Sequence, residues 1–371
     1  MSLRVLFIEP FYGGSHRAFA DGLRAHSRHE IVLLTLPEAE WRRRMRRGAQ
    51  ELAPAALALD GYFDAIVATD MLDLPTFLAL TRRRFAHTPV LFYLHENQFT
   101  YPRIRGTRLN SWFGAMNYLS AAAADRVAFN SDYHRADFLA ALRTLEAEPN
   151  NWLLSSRIGQ IEAQSHVLPI GVELRWLDEL PTHEAEPKHE GLLPLVLWNA
   201  RWEFDKAPDV FARALIRLSS EGVAFHVAIA GDPGPNPHPA MLELRAALGE
   251  RVVQFGLLPT RSDYGRLLWR SDVVVSTARH EFFGVGMVEA LYAGCFPVAP
   301  AAHNYPALVP PGLHASCLWR DEDELAERLR EALRGNRPGG EELRASAARF
   351  AWDDVAPVWD RALEALEARE E

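Results

Sequence analysis

Short apolar runs recur along the chain, each followed by a turn and a longer stretch with helical spacing. The first half offers LRVLFI (3–8), EIVLLTL (30–36), DAIVATD (64–70), PVLFYLH (89–95), RVAFNS (126–131) and HVLPIGV (166–172) as strands. These runs are rich in Val, Ile, Leu and Phe and hardly alternate, the pattern of strands buried on both faces of a parallel sheet. Helices are expected between them, notably over 107–124 and 132–146. A polar, proline-bearing stretch at 181–193 reads as a linker. The alternation then restarts with strands at 194–200, 225–231, 251–256, 272–277 and 296–300. Helices are expected over 207–221, 238–248, 260–271, 286–293 and 321–334, and 340–371 is charged and helical throughout. The pattern predicts an α/β protein of two consecutive doubly wound, Rossmann-like domains, 1–180 and 194–371. The terminal helix is placed to pack back on the N-terminal domain. Such sheets bind ligands at the carboxyl ends of their strands, here facing each other across a central cleft.

Composition adds bounds. A chain of 371 residues with 48% apolar and 24% charged residues suits two folded domains. No apolar run reaches the length of a membrane span, and Met1–Ile8 is too short for a signal peptide. Cys295 and Cys317 are the only cysteines and lack metal-site spacing. A reducing, cytoplasmic location is therefore expected, with both thiols acting as small buried hydrophobes. The net charge of −9 falls entirely on residues 181–371, because residues 1–180 hold 20 Arg against 20 acids. Any nucleic acid would therefore be held mainly by the first domain, where arginines cluster at 42–47, 82–84 and 103–108. Lys188 and Lys206 are the only lysines.

The stretch HEFFGVGMVEALYAG (280–294) follows a buried strand. Gly284 and Gly286 permit a tight turn, and the helix start beyond it has unpaired N–H groups that suit an anion. Glu281 precedes the turn and Glu289 lies a turn into the helix, so each can accept hydroxyls on either side of a diphosphate. A nucleotide sugar has that layout. NARWEFDKAPD (199–209) sets Arg201 and Lys206 just past a strand end, where cations suit a departing diphosphate. In the first domain, Gly13 and Gly14 lie in a glycine-rich turn after strand one, and His95 and Glu96 end another strand. Arg103, Arg105 and Arg108 interleave with Tyr101, Trp112 and Phe113, which suits an unpaired RNA loop, although a solvated face over core aromatics reads equally well. DED (321–323) opens a helix, where acids are expected without any metal.

The E-x7-E stretch resembles retaining glycosyltransferases of the GT-B fold. FYGGSH (11–16), LHENQFTYP (94–102), FNSDYH (129–134), RWEFDK (201–206), HEFFGVGMVEA (280–290) and GCFPVAP (294–300) together resemble the tRNA-queuosine mannosyltransferase family. That resemblance implies GDP-mannose as donor, the queuosine of a tRNA anticodon, that of tRNA-Asp, as acceptor, and transfer with retention. It implies no prosthetic group and no metal, the leaving phosphate taking the acceptor's proton. Glu281 is then expected at the sugar hydroxyls and Glu289 at the ribose. Arg201 and Lys206 are expected at the diphosphate with Phe283, Gly284 and Val285. Gly13 and Gly14 are expected near the donor phosphate, and His95 beside the sugar from the other domain. Tyr12, His16, Glu96, Asn97, Arg103, Arg105, Arg108 and Trp112 are expected toward the acceptor RNA. No membrane or protein partner is expected. The alternatives are a GT-B enzyme acting on a lipid or glycan, and a non-catalytic nucleotide-sugar or RNA-binding module.

Overall fold

The computed structural model describes residues 2–101, 111–149, 152–180 and 193–367. The chain divides into two compact units, Met1–Gly171 with Trp352–Glu371, and Val172–Ala351. Residues 172–180 thus go with the second unit and the terminal helix with the first. Apart from Leu193, the 181–193 stretch lies outside the described residues.

The first unit holds a parallel sheet of β1 (Arg4–Tyr12), β2 (Glu30–Pro37), β3 (Ala65–Thr69), β4 (Val90–Leu94), β5 (Arg126–Phe129) and β6 (Ser165–Val167), in the order β2-β1-β3-β4-β5-β6. Every residue of β3 and β4 is buried, because helices cover both faces. The sixth strand is shorter than its apolar run suggests, since Pro169 cannot donate to a ladder. The arginine run opens a helix, Trp41–Ala58, whose buried face carries Met45, Ala49 and Leu52.

The second unit repeats the plan with β7 (Leu195–Asn199), β8 (His226–Ala230), β9 (Val252–Gly256), β10 (Val273–Val275), β11 (Phe296–Pro300) and β12 (Leu318–Trp319), in the order β12-β11-β10-β7-β8-β9. In each sheet the first strand lies between its successor and a later strand. The chain reverses direction across the sheet there, and that leaves a crevice at the strand ends. In the first unit the crevice lies between β1 and β3. In the second it lies between β7 and β10.

The tail departs from the continuous helix expected over 340–371. It forms two helices, Gly340–Ala348 and Trp352–Glu367, interrupted where Phe350 O accepts the Val172 N–H at 2.7 Å and Ala351 bridges Val172. The final helix completes the first unit's core. Trp359 is fully buried, donates to Pro169 O at 3.0 Å and packs edge-on against Tyr93. Trp352 lies so close to Gly171 that a Cβ there would come within 2.4 Å of the indole, which is why that turn needs glycine.

Candidate active site

In the second unit the chain leaves β7 and makes one 3-10 turn, Phe204–Lys206. Ala207 then takes a left-handed φ of 46°, held by the Thr277 hydroxyl, which donates to Lys206 O at 2.9 Å and Ala207 O at 3.0 Å. This turn places the Lys206 ammonium 3.2 Å from each of three oxygens: Glu281 Oε2, Asp205 Oδ2 and the His280 carbonyl. Burial alone would lower the lysine's pKa, but the Glu281 and Asp205 charges outweigh it and raise it, so the cation is locked on. Burial likewise pushes the Glu281 carboxyl up, and Lys206 more than reverses that, leaving it below the ordinary range. Both partners are therefore ionised at neutral pH.

Beyond Glu281 the backbone turns at Gly284, whose φ of 96° disfavours any side chain. The helix Val285–Tyr292 starts there with no side-chain cap, so its first N–H groups remain for a ligand. Phe283 is buried and its carbonyl accepts from Asn304 Nδ2 at 2.8 Å, which fixes the turn. Glu289 stands apart from Glu281. Its Oε2 accepts from the Tyr264 hydroxyl at 3.0 Å, and the Tyr264 hydroxyl oxygen accepts in turn from Asn199 Nδ2 at 2.9 Å. Burial pushes the Glu289 carboxyl up to about 7, with the Tyr264 hydrogen bond restraining the rise.

Arg201 and Lys206 differ in setting. The Arg201 side chain is 58% exposed and reaches Glu203 at 3.3 Å. Lys206 is the buried member of the pair. The DED stretch behaves as a helix cap: Asp321 accepts from the Asp323 and Glu324 N–H groups, while Glu322 and Asp323 pair with Arg213 and Arg217.

The first unit gathers a second set at the ends of β1, β3 and β4. Glu9, fully buried, accepts the Phe11 N–H at 2.8 Å through Oε1 and meets His16 Nδ1 at 3.0 Å through Oε2. His95 Nε2 is 3.9 Å from the same oxygen, and the two imidazole centroids are 4.3 Å apart. Asp70 accepts the His95 N–H at 3.0 Å. Asp70 Oδ2, Thr69 Oγ1 and His95 Nε2 are buried and have no hydrogen-bond partner among the described residues. Buried orphans of this kind cost free energy unless a ligand or water completes them. Burial pushes Asp70 up to about 7. His95 is held well below its usual pKa by burial and by the neighbouring His16 and His134. Burial would lower His16 too, but the Glu9 charge and hydrogen bond raise it to about 9. Glu9, His16 and His95 offer one ligand atom each within 4.8 Å of one another, a spacing a metal ion could also use.

Several motif residues hold this set in place. Gly13 caps the helix Gly14–His26 that carries His16. Asn130 donates to the His95 carbonyl at 2.8 Å and its side-chain oxygen meets His134 Nδ1 at 3.1 Å, so FNSDYH fixes HEN. Asn97 is fully buried, with its oxygen on the Phe99 and Thr100 N–H groups and its nitrogen on Asp137. It shapes the loop, which is a different task from the RNA contact expected of it. Tyr12 donates to Asp21 at 2.6 Å. Glu96 is half-buried, and Trp112 is 47% exposed. Arg103, Arg105 and Arg108 lie outside the described residues.

Sequence reasoning missed Glu9, Asp70, Asp205, Asn199 and Tyr264. For Glu9 and Asp70 the signal available was an acid inside or closing an apolar strand run, as in FIEP and VATD.

Comparison with known proteins followed the same division. The family described as tRNA-queuosine alpha-mannosyltransferase N-terminal matches residues 4–172, and that described as glycosyl transferases group 1 matches residues 194–335. A tRNA-queuosine alpha-mannosyltransferase of Drosophila melanogaster is 35% identical over 312 residues, 82% of this chain and 81% of that protein. Among solved structures, a sucrose-phosphate synthase from Thermosynechococcus elongatus superposes with a TM-score of 0.72 at 16% identity, covering 98% of this chain and 99% of that one. A glycosyltransferase from Rickettsia africae gives 0.69 at 13% identity over the whole of both chains. These two likenesses speak for the GT-B fold.

Proposed function

Because the chain belongs to the tRNA-queuosine alpha-mannosyltransferase family and is a glycosyltransferase, we propose that it moves mannose from GDP-mannose to the queuosine of a tRNA, that of tRNA-Asp, with retention. The observation that carries the transfer chemistry is the Lys206 ammonium held between Glu281 and Asp205, with Glu281 just ahead of Gly284 and the open helix start in the sequence. A diphosphate leaving group gains negative charge as the glycosidic bond breaks. A fixed cation and unpaired N–H groups stabilise that change without reorganising. Glu281, kept ionised by Lys206, can only accept hydrogen bonds, so it suits the hydroxyls of the donor sugar. Glu289, on its Tyr264 support, suits the ribose diol. Arg201, free of burial, adds charge at the diphosphate. We propose that the transfer needs no metal ion, the leaving phosphate taking the acceptor's proton.

The acceptor role falls to the first unit. Arg42, Arg43, Arg46 and Arg47 are exposed on the helix Trp41–Ala58, and Arg46 lies over the Phe113 ring beside exposed Trp112. Arginine on phosphate with an aromatic face nearby suits single-stranded RNA. His95, neutral and short of one hydrogen-bond partner, suits a sugar or acceptor hydroxyl.

The test is incubation with each common nucleotide sugar and with tRNA carrying or lacking queuosine, read as the mass of the released nucleoside. A hexose gain only with GDP-mannose and only on queuosine supports the proposal. Transfer to unmodified tRNA, or none with GDP-mannose, overturns it.

A further inference from the structure

The first unit holds a buried donor set that diphosphate binding in the second unit does not use. Glu9 lies on β1, His16 in the first turn of the helix Gly14–His26, and His95 just past β4. Glu9 Oε2 is 3.0 Å from His16 Nδ1 and 3.9 Å from His95 Nε2, and one ligand atom from each residue falls within 4.8 Å of the others. Two ligands bonded to one zinc ion at about 2.0–2.2 Å stand roughly 3–4 Å apart, so the set is near the spacing of a closed shell. A second observation points to a ligand. The Glu9–His16 contact satisfies those two residues, but His95 Nε2 is buried with no hydrogen-bond partner among the described residues, as are Asp70 Oδ2 and Thr69 Oγ1 on the adjoining strand end. The donors are also held from behind. The Phe11 N–H on Glu9 Oε1 turns Oε2 toward the rings, while Asp70 and Asn130 clamp the His95 backbone at 3.0 and 2.8 Å. Both imidazoles keep slight exposure, 7% and 6%, which leaves a path in from solvent.

We propose that Glu9, His16 and His95 form a site for one divalent cation of the zinc class, and that its occupation withdraws His95 from the reactants. Two imidazoles and a carboxylate are a zinc donor set, with the fourth position left to water. Magnesium and calcium prefer six or more oxygen ligands, whereas here two nitrogens accompany one carboxylate. Six-coordinate iron(II) uses the same donors with three open positions, but the rings of Phe11, Phe19 and Tyr93 pack round the two imidazoles and favour the smaller shell. On binding, the ion replaces the proton between Glu9 and His16 Nδ1, and that proton goes to solvent. Asp70 Oδ2 is left as an acceptor for a water on the open position. The proposed transfer uses no metal, so the ion acts as an inhibitor. Inhibition rests on the transferase reading, because that reading gives His95 its hydroxyl, whereas binding of the ion is independent of it.

The experiment uses the full chain, untagged and stripped of metal. Zinc is titrated against a chromophoric chelator, and cobalt(II) is followed by visible absorption. The expected result is one ion per chain, with the strong visible bands of four-coordinate cobalt and no thiolate charge-transfer band. Glu9→Gln and His16→Gln should each weaken zinc by roughly 100-fold or more, with the circular dichroism of the metal-free proteins unchanged. Zinc should raise the wild-type Tm and leave that of both variants where it was. Magnesium should do neither. No zinc bound by the wild type, a thiolate band, or equal binding by the variants overturns the site, and the first two outcomes need no folded variant. The weak spectrum of six-coordinate cobalt overturns the assignment to the zinc class. Transfer gives the other readout. Saturating zinc should cut the wild-type rate by at least about tenfold and leave the residual rate of His16→Gln unchanged. A full rate with zinc bound overturns the withdrawal of His95. If zinc binds as expected but the metal-free protein modifies no tRNA, the transferase reading fails, inhibition falls with it, and the metal site stands.

Discussion

Lys206 shows how much one side chain can carry in a chain with two lysines. Removing it leaves two carboxylates unpaired in a half-buried pocket, a change that costs about 3–5 kcal/mol when a buried pair is broken. Lys206→Ala is therefore expected to lower Tm as well as to cut kcat by about 10²–10³-fold. The double variant Lys206→Ala, Glu281→Gln should recover part of the Tm and none of the rate. Recovery of rate would show that the lysine only neutralises Glu281. Glu289 gives a separate test through its pKa of about 7. It is mostly ionised at pH 8 and mostly protonated at pH 6, so a carboxylate that accepts ribose hydroxyls weakens as the pH falls. The donor KM should rise several-fold between pH 8 and pH 6, and Glu289→Gln should flatten that dependence. Asp70 bears on stability with the opposite trend. Its folded pKa is raised, so the unfolded chain ionises first, and the folded state loses stability as pH climbs from about 4 to 7. Asp70→Asn should consequently gain more Tm at pH 7.5 than at pH 5.

Two elements do most of the local work. The helix Val285–Tyr292 is usable by a ligand because Gly284 turns the chain with a φ of 96° and brings no side chain. Gly284→Ala forces a left-handed alanine, at about 1–2 kcal/mol, and brings its Cβ within 3.1 Å of Leu308. A Tm loss with a clear rise in donor Kd by calorimetry is the expected outcome. The arginine helix Trp41–Ala58 is half anchored and half free. Arg44 is tied to the Pro37 carbonyl and Glu51, whereas Arg42, Arg43, Arg46 and Arg47 are exposed. Changing those four to Gln should weaken tRNA binding at low salt and flatten the slope of log K against log salt, with donor binding unchanged. An unaltered slope would remove this helix from the RNA surface.

At the level of the whole chain, the first unit is discontinuous. Its core ends with Trp352–Glu367, supplied from beyond the second unit. Truncation after Ala351 removes Trp352, Trp359 and Leu363 from a buried cluster and exposes Phe19 and Tyr93. Calorimetry should then show the first unit's transition lost and the second unit's kept. Loss of both transitions would mean that the units do not fold separately.

The apolar runs alone determined the order of the strands apart from the two-residue β12, Leu318–Trp319, because parallel strands buried on both faces need unbroken hydrophobic stretches wherever they sit in the sheet. The E-x7-E spacing, Lys206 and the HEN loop were likewise legible, since each follows a strand and strand ends are where such sheets bind. Three things were not. Asp205 and Glu281 share one ammonium only because β10 pairs with β7, and spacing along a chain carries no record of which strands become neighbours. Glu9 and Asp70 looked like ordinary acids until their strands buried them beside His16 and His95, where desolvation and charge decide which groups hold protons. The tail read as one helix because its composition is helical throughout. The tertiary structure broke it at Phe350, where the backbone is needed by Val172, and gave the final turns to the first unit's core.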